Sequence, residues 1–241
     1  MGIVRTGNEY YHEEQSIFRS FKNAGLRPGV IFAVGSAQTG WSRSMSLVFP
    51  EAQFHVFEPL VDPKQIHGEN TDRALPDPPS LRLHPVALGA VDGRNKTVFD
   101  STGGSATILL RRMFSDLRRA LEVPIYRLET IISQLNLPRP DVMKLDVHGA
   151  ELEVLKGADS VLDSVQVIQL KSWLTRRYRG RSPLLHEVIE FLSKKKFSPV
   201  DFGGFFFSQI HELCALDVYF ARADLLAEFG SRLSRGHLGG E

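Results

Sequence analysis

The run Val30-Ile31-Phe32-Ala33-Val34 is apolar throughout and lies between a Pro-Gly turn and a turn of small residues. Such a run is typical of a strand that is buried on both faces, as the strands of parallel sheets are. Further strand patterns at 54–58, 142–146 and 165–170 alternate with segments of helical spacing. Strands that alternate with helices predict a doubly wound α/β sheet with helices on both faces.

Composition excludes several classes of protein. The chain has 241 residues, with 29 Lys and Arg against 28 Asp and Glu, and one cysteine, Cys214. The near-neutral charge argues against nucleic-acid binding through overall charge. A single cysteine permits no internal disulfide, which favours a reducing, cytoplasmic location. No apolar stretch reaches the roughly 18 residues that a membrane helix needs, so we expect no membrane span.

Ligands of doubly wound sheets bind outside the carboxyl ends of the strands, which directs attention to three turns. The first, at residues 35–41, is rich in small residues that let a ligand approach the backbone. Glu58 ends the next strand, where a carboxylate can bind a ribose diol. Together they indicate a nucleoside-bearing cofactor, NAD or S-adenosylmethionine, and the lack of G-x-G-x-x-G favours the second.

Asp146 and His148 occupy the third turn, at the end of the strand 142–146. Two residues apart on an extended chain, they share a face. A histidine titrates near neutral pH and suits a general base that Asp146 would orient. In the alternative interpretation, Asp146 caps the helix that begins at Ala150 and His148 only lines the turn.

Two longer blocks give the chain a family resemblance. Residues 49–59, from Phe49-Pro50-Glu51 to Phe57-Glu58-Pro59, resemble the second-strand block of FkbM-type S-adenosylmethionine-dependent methyltransferases. Residues 144–158, KLDVHGAELEVLKGA, are similar to that family's signature K-[IL]-D-V-[EQ]-G-x-E-L-x-V-L-K-G-A. The resemblance covers about residues 15–222.

The resemblance implies a Rossmann-like class I methyltransferase fold, with a mostly parallel seven-stranded sheet and helices on both faces. It implies S-adenosylmethionine as the cofactor, no metal, and a hydroxyl of a small molecule, saccharide or glycolipid as the methyl acceptor. We divide the chain into an N-terminal helical extension (1–28), a methyltransferase domain (29–222) and a C-terminal tail (223–241). The implied cofactor-binding residues are Gly35, Ser36, Ala37, Thr39, Gly40, Trp41, Glu58, Pro59, Val86, Ala87 and Asp146.

Three positions depart from the acidic form of the family pattern, and each departure removes negative charge from the same region. The acidic residue that ends the first strand and holds the methionyl end of the cofactor is Ala33 here. The Glu or Gln of the signature is His148, and the Glu usual after the fifth strand is Lys171.

Two explanations of these departures stay open. In the first, the site takes an anionic acceptor, because Arg and Lys side chains bind phosphate and carboxylate groups. The candidate substrate residues are Lys171, Arg176, Arg177 and Tyr178. In the second, the chain is a non-catalytic binding protein on the same fold. A third interpretation, an RNA methyltransferase, is supported only by arginine-rich runs near 111–119 and 176–181. The last alternative is a nicotinamide-dependent oxidoreductase. The sequence leaves the oligomeric state open.

Overall fold

A mostly parallel sheet organises the part of the chain that the computed structural model describes, which comprises residues 7–35, 39–59, 80–100, 106–107, 119–177 and 181–236. Within these residues the sheet has seven strands, in the spatial order β10 (Phe197–Phe207), β11 (Leu213–Arg222), β9 (Val167–Trp173), β8 (Val142–Leu145), β1 (Val30–Val34), β2 (Gln53–Phe57) and β3 (Leu81–His84). Only β11 is antiparallel to its neighbours, and the other six strands run in one direction. The predicted mostly parallel seven-stranded sheet is confirmed.

A second, smaller sheet and the helices complete the described architecture. The smaller sheet has the order β4 (Ala87–Leu88), β7 (Arg119–Tyr126), β5 (Gly93–Asp100) and β6 (Ala106–Thr107). The helices are α1 (Gly7–Ala24), α2 (Gly40–Ser46), α3 (Leu128–Leu135), α4 (Glu151–Gly157), a short 3-10 helix (Val161–Asp163), α5 (Leu185–Lys194) and α6 (Ala223–Gly236).

Strand β1 is buried on both faces, as its apolar run predicts. Phe32 and Val34 pack into a core that includes residues of α3, α4 and α5. Ile31 and Ala33 point the other way, into a core that includes residues of α1, α2 and α6. The helices therefore cover both faces of the sheet, as expected of a doubly wound fold.

Helix α1, in the segment taken as an N-terminal extension, packs directly on the sheet. The ring of Phe18 is fully buried and lies 5.9 Å from the ring of Trp41, 6.2 Å from that of Phe49 and 5.8 Å from that of Tyr219, measured between centroids. At the other end of the chain, α6 lies within the segment taken as a C-terminal tail, and its Leu225 joins the same core. Both terminal helices thus belong to one hydrophobic unit with the sheet.

Two local sequence patterns within residues 81–99 predict a structure that differs from the one found. The pattern over 81–88 predicts one strand, but β3 and β4 belong to different sheets. Pro85 lies between them, and it lacks the amide donor that would continue the ladder. Asp92-Gly93 predicts a hairpin turn, but β5 pairs with β7. The Asp92 carboxylate instead accepts hydrogen bonds at 2.8 Å from the amide of Arg127 and the hydroxyl of Thr130, at the start of α3.

Candidate active site

The turn after β1 has a backbone conformation that suits glycine alone. Gly35 has φ of +76°, and a Cβ there would lie 2.3 Å from the carbonyl oxygen of Asp146. The amide of Gly35 donates to the carbonyl oxygen of Phe57, and the amide of Asp146 donates to that of Val34, both at 2.9 Å. These contacts hold the carboxyl ends of β1, β2 and β8 together, at the edge where doubly wound sheets bind ligands.

The predicted cofactor residues of this turn divide into two groups. Ser36 and Ala37 lie outside the described residues. Thr39 is buried immediately before α2, and Gly40 and Trp41 begin that helix. The buried indole N–H of Trp41 donates to Oε1 of Gln169 at 3.1 Å, which ties the start of α2 to strand β9.

Glu58 and Val86 meet at the carboxyl ends of β2 and β3. The amide of Glu58 donates to the carbonyl oxygen of His84 at 3.1 Å, and the amide of Val86 donates to the same oxygen at 2.8 Å. Glu58 is 1% exposed. Pro59 follows it, and Ala87 begins β4. The structure therefore brings the residues predicted for the ribose and the adenine to one region of the sheet edge.

Asp146 is held between two lysines. Nζ of Lys171 donates to Oδ1 of Asp146 at 3.0 Å and to Oδ2 at 3.2 Å, and Nζ of Lys144 lies 3.9 Å from Oδ2. Burial acts to raise the pKa of the Asp146 carboxyl, but Lys171 and Lys144 outweigh it and hold that pKa well below its usual range. Asp146 is therefore ionised at neutral pH.

His148 adopts a left-handed backbone, with φ of +51°, and Gly149 follows with φ of +102°. Both carboxylate oxygens of Glu151 accept the amide N–H of Gly149, at 3.0 and 2.9 Å, and so hold this uncommon turn. The turn places Nε2 of His148 at 3.7 Å from Oδ1 of Asp146. Burial lowers the pKa of the His148 imidazole, although Asp146 acts to raise it, so the ring is neutral at neutral pH.

Asp217, which the sequence pattern did not single out for the site, lies on β11 opposite Lys171 in the register of β9 and β11. It is 4% exposed, and a Cβ on Gly204 would lie 2.1 Å from its Oδ2. Burial raises the pKa of the Asp217 carboxyl to about 7, while Lys171 acts to lower it. Lys171 therefore lies between two carboxyl groups of different acidity, Asp146 and Asp217.

The raised pKa of Asp217 predicts a pH-dependent effect of the Asp217→Asn substitution. The unfolded aspartate has a pKa of about 4, so the folded state binds a proton that the unfolded chain releases between about pH 4 and the folded pKa of about 7. This contribution to stability is complete below the unfolded pKa and is lost as the pH rises through 7. Relative to wild type, we expect the Asn variant to gain about 1–2 kcal/mol of unfolding free energy from about pH 5.5 to about pH 8, by urea denaturation.

Both proteins carry the same histidines. The contribution of histidine titration to the unfolding free energy therefore cancels in the difference between variant and wild type. Asp201→Asn is the matched control, because Asp201 is exposed on the neighbouring strand β10. Its unfolding free energy relative to wild type is measured over the same pH range. A change with pH in Asp217→Asn no larger than that of this control would show that Asp217 is not protonated more readily in the folded state.

Two kinds of feature are absent from the described residues. Among them, no group of three or more His, Cys, Asp and Glu side chains is arranged to hold a metal ion. No helix in the same part of the chain is long and apolar enough to cross a membrane.

Residues 34–199 match the family model described as the methyltransferase FkbM domain, a match that spans more than half of the chain. The chain belongs to the FkbM methyltransferase family. The matched segment begins at the end of β1 and ends within β10. Helix α1, strand β11 and helix α6 of this methyltransferase therefore lie outside the family match.

Two relatives place this family member among known proteins. It is 28% identical over 196 residues to the hexuronic acid methyltransferase AglP of Haloferax volcanii, covering 77% of this chain and 70% of that protein. The solved FkbM methyltransferase of Methylobacillus flagellatus is 15% identical, with a TM-score of 0.50, and the match covers 88% of this chain and 50% of that chain. The present chain thus spans half the length of the solved one. The predicted class I fold and the prediction of a methyltransferase are confirmed.

The candidate substrate residues of this methyltransferase have different surroundings. Lys171 is 9% exposed and bound to Asp146, so the structure joins it to the candidate catalytic residues. Arg176 donates to the carbonyl oxygen of Ser182 at 3.1 Å and to Oε1 of Glu187 at 2.7 Å, at the start of α5. Nη2 of Arg177 lies 2.7 Å from Sγ of Cys214. Tyr178 lies outside the described residues.

Glu14, on α1, is a second residue that the sequence pattern did not indicate for the site. Glu14 is 4% exposed, and its Oε1 accepts a hydrogen bond of 2.8 Å from Nε2 of Gln169, the residue that binds Trp41. A signal for its burial exists, because Glu14 precedes Phe18 by four residues and Phe21 by seven. That spacing places the carboxylate on the apolar face of the helix.

Proposed function

We propose that this chain is an S-adenosylmethionine-dependent O-methyltransferase that acts on a hydroxyl of a saccharide, with uronic acids as the favoured class. The observation that carries the proposal is the pair of His148 and Asp146, in which Nε2 of the histidine lies 3.7 Å from Oδ1 of a carboxylate that Lys171 binds. The pair lies at the carboxyl edge of the sheet, next to the glycine turn after β1. This edge is where doubly wound sheets bind their ligands.

The residues present fit the proposed cofactor. Gly35 permits the left-handed backbone that joins the carboxyl ends of β1 and β8, at the edge where a ligand would bind. Glu58 would bind the ribose hydroxyls through its carboxylate, and Val86 and Ala87 would line the adenine. Thr39, Gly40 and Trp41 would border the methionine portion at the start of α2. When bound, S-adenosylmethionine supplies a methyl group that is activated by its positively charged sulfonium.

In the proposed mechanism, the chain positions the acceptor hydroxyl and removes its proton. The neutral imidazole of His148 accepts this proton as the oxygen attacks, and Asp146 stabilises the resulting imidazolium. Asp146 does not take the proton itself, because Lys171 and Lys144 keep it ionised. Lys171 thus acts on the base indirectly, by fixing both oxygens of the carboxylate that faces His148. General base catalysis of this kind contributes about 10²–10⁴-fold to a rate.

Two observations support a saccharide of the uronic acid class as the acceptor. The relative AglP is a hexuronic acid methyltransferase. The ammonium of Lys171 also lies 4.5 Å from the centroid of the Phe206 ring, on the hairpin of β10 and β11. An ammonium and an aromatic ring at the same sheet edge match the carboxylate and the apolar ring face of a uronic acid.

Calorimetry and a methyl-transfer assay test the proposal together. We expect titration of the purified chain with S-adenosylmethionine to show binding, and methyl transfer to methyl glucuronoside to exceed transfer to methyl glucoside. Absence of binding at millimolar S-adenosylmethionine would contradict the enzyme proposal and favour a non-catalytic binding protein. Binding without any preference for the glucuronoside would leave the cofactor assignment in place and overturn the acceptor class.

A further inference from the structure

We propose that Glu14 of helix α1 is a specificity-determining residue, which makes the cofactor site favour the cationic S-adenosylmethionine over its neutral product S-adenosylhomocysteine. The inference rests on the proposed function and adds a residue that lies outside the segment matching the family. It concerns the balance of buried charge at the carboxyl edge of the sheet.

A row of residues in register across the sheet defines the place where this charge is needed. Ala33 of β1 lies opposite Lys144 of β8, Lys144 lies opposite Gln169 of β9, and Gln169 lies opposite Tyr219 of β11. Residues in one such row point to the same face of the sheet. The Lys144 side chain is buried in this row, and the adjacent Ala33 offers it no carboxylate.

Helix α1 brings a carboxylate to this row from outside the sheet. Oε1 of Glu14 accepts the hydrogen bond from Gln169, while Oε2 is buried and has no hydrogen-bond partner among the described residues. Burial acts to lower the pKa of Lys144, but Glu14 and then Asp146 outweigh it and raise that pKa. Glu14 is thus the carboxylate with the largest electrostatic effect on the Lys144 ammonium.

The same contacts place Glu14 beside the start of α2. Gln169 links its carboxylate to the indole of Trp41, and Nζ of Lys144 lies 5.5 Å from the centroid of the Trp41 rings. The hydroxyl of Tyr11, one turn before Glu14 on α1, lies 3.0 Å from the position of a Cβ on Gly40. Helix α1 therefore contacts the start of α2, which is proposed to border the methionine portion of the cofactor.

The charge of the ligand decides how Glu14 acts on binding. Burial raises the pKa of the Glu14 carboxyl, and the positive charge of Lys144 acts to lower it. A positively charged ligand at this edge acts in the same direction as Lys144, so the ligand and the ionised Glu14 stabilise each other. S-adenosylmethionine carries a net positive charge through its sulfonium, whereas S-adenosylhomocysteine is a neutral thioether. Only the first gains from this mutual stabilisation.

The test is the ratio of two dissociation constants, measured by calorimetry for wild type and Glu14→Gln. We expect the substitution to weaken the binding of S-adenosylmethionine by about tenfold, which is the effect of one charge acting across a partly buried site. The binding of S-adenosylhomocysteine should change little. The Gln side chain keeps the size of Glu14 and an oxygen for Gln169. If the binding of both ligands weakens equally, the role of Glu14 is structural and the proposal is wrong.

A matched control and a rescue variant complete the design. Glu13→Gln makes the same charge change one residue away, where the carboxylate faces Gly203 of β10, and it should leave the ratio unchanged. The double variant Glu14→Gln, Ala33→Asp places a carboxylate on β1 beside Lys144 and should restore the wild-type ratio. If Glu14→Gln does not fold, the double variant decides: a folded double variant with the wild-type ratio supports the proposal, and any other result overturns it.

Failure of this inference and failure of the proposed function are separable. A wild-type chain that does not bind S-adenosylmethionine contradicts the proposed function. A wild-type chain that binds it, together with a Glu14→Gln variant of unchanged ratio, contradicts only the role of Glu14. The emission of Trp41 in a Trp173→Phe background gives a further readout, because loss of the Glu14 charge should shift it without any ligand.

Discussion

The substitution His148→Asn is expected to lower kcat by about 10²–10⁴-fold, the contribution of a general base. The dissociation constant of S-adenosylmethionine should stay nearly unchanged. Among the proposed cofactor residues, Asp146 alone has a contact with His148 that the mechanism uses. Asn suits this position because it tolerates a left-handed backbone, here φ of +51°, without the strain that Ala would meet. Steady-state methyl transfer gives kcat, and calorimetry gives the cofactor affinity.

His211→Asn provides the matched control for this experiment. His211 also has a left-handed backbone, with φ of +59°, but it is exposed in the turn between β10 and β11. It should keep the wild-type kcat. The pH profile of wild-type kcat adds a second check. Because burial lowers the pKa of His148 below the ordinary value of 6.5, the loss of kcat on the acid side should occur below that pH. A His148→Asn variant with wild-type turnover would remove His148 from the mechanism.

The central sheet was predictable because short stretches of the sequence are enough to indicate its strands. The apolar run of β1 and the turns that bound it need no partner to be recognised, and the same holds for β8 and β9. The division of residues 81–88 between two sheets was not predictable from that pattern, because it depends on the pairing of β4 with β7, nearly 40 residues away. Asp92 shows the same limit. Its Asp-Gly pattern indicates a hairpin turn, but a tertiary contact with Arg127 and Thr130 determines its role.

The candidate site was predictable where its residues are neighbours in the chain. Asp146 and His148 lie close together as predicted, but a left-handed turn at His148 brings this about and not the extended chain from which the spacing was interpreted. Glu14 and Asp217 come from α1 and β11, and no local pattern relates either of them to Asp146. Their proximity arises from the order of strands in the sheet and from the packing of α1 across it.

The charge departures that the sequence presents as isolated changes are connected in space. Lys171, in place of an acidic residue, is bound to Asp146 and lies opposite Asp217. Ala33, in place of another, lies beside Lys144, whose charge Glu14 offsets from α1. Glu14 therefore supplies from α1 a carboxylate that Ala33 cannot offer to Lys144 from β1.

Gly35→Ala is expected to destabilise the protein more than any surface substitution and to remove binding of S-adenosylmethionine. The new Cβ would lie 2.3 Å from the carbonyl oxygen of Asp146 and 2.6 Å from Cγ1 of Val147, and φ of +76° strains any L side chain. Strain and overpacking of this kind cost about 2–5 kcal/mol together. Relief requires the end of β8 to move away from β1, which displaces Asp146 and with it the candidate base. Urea denaturation measures the loss of stability, and calorimetry measures the loss of binding.

Gly29→Ala is the matched control, because Gly29 lies at the opposite end of the same strand. There, the nearest heavy atom to an added Cβ is Oδ2 of Asp141 at 3.6 Å, an ordinary contact, and the amide of residue 29 keeps its hydrogen bond to that oxygen. Stability and cofactor affinity should both stay close to wild type. A Gly35→Ala variant that resembles this control in both measurements would mean that β1 and β8 do not meet at Asp146. The candidate site would then have to lie elsewhere on the sheet, since every proposed role of Asp146, His148 and Lys171 depends on that contact.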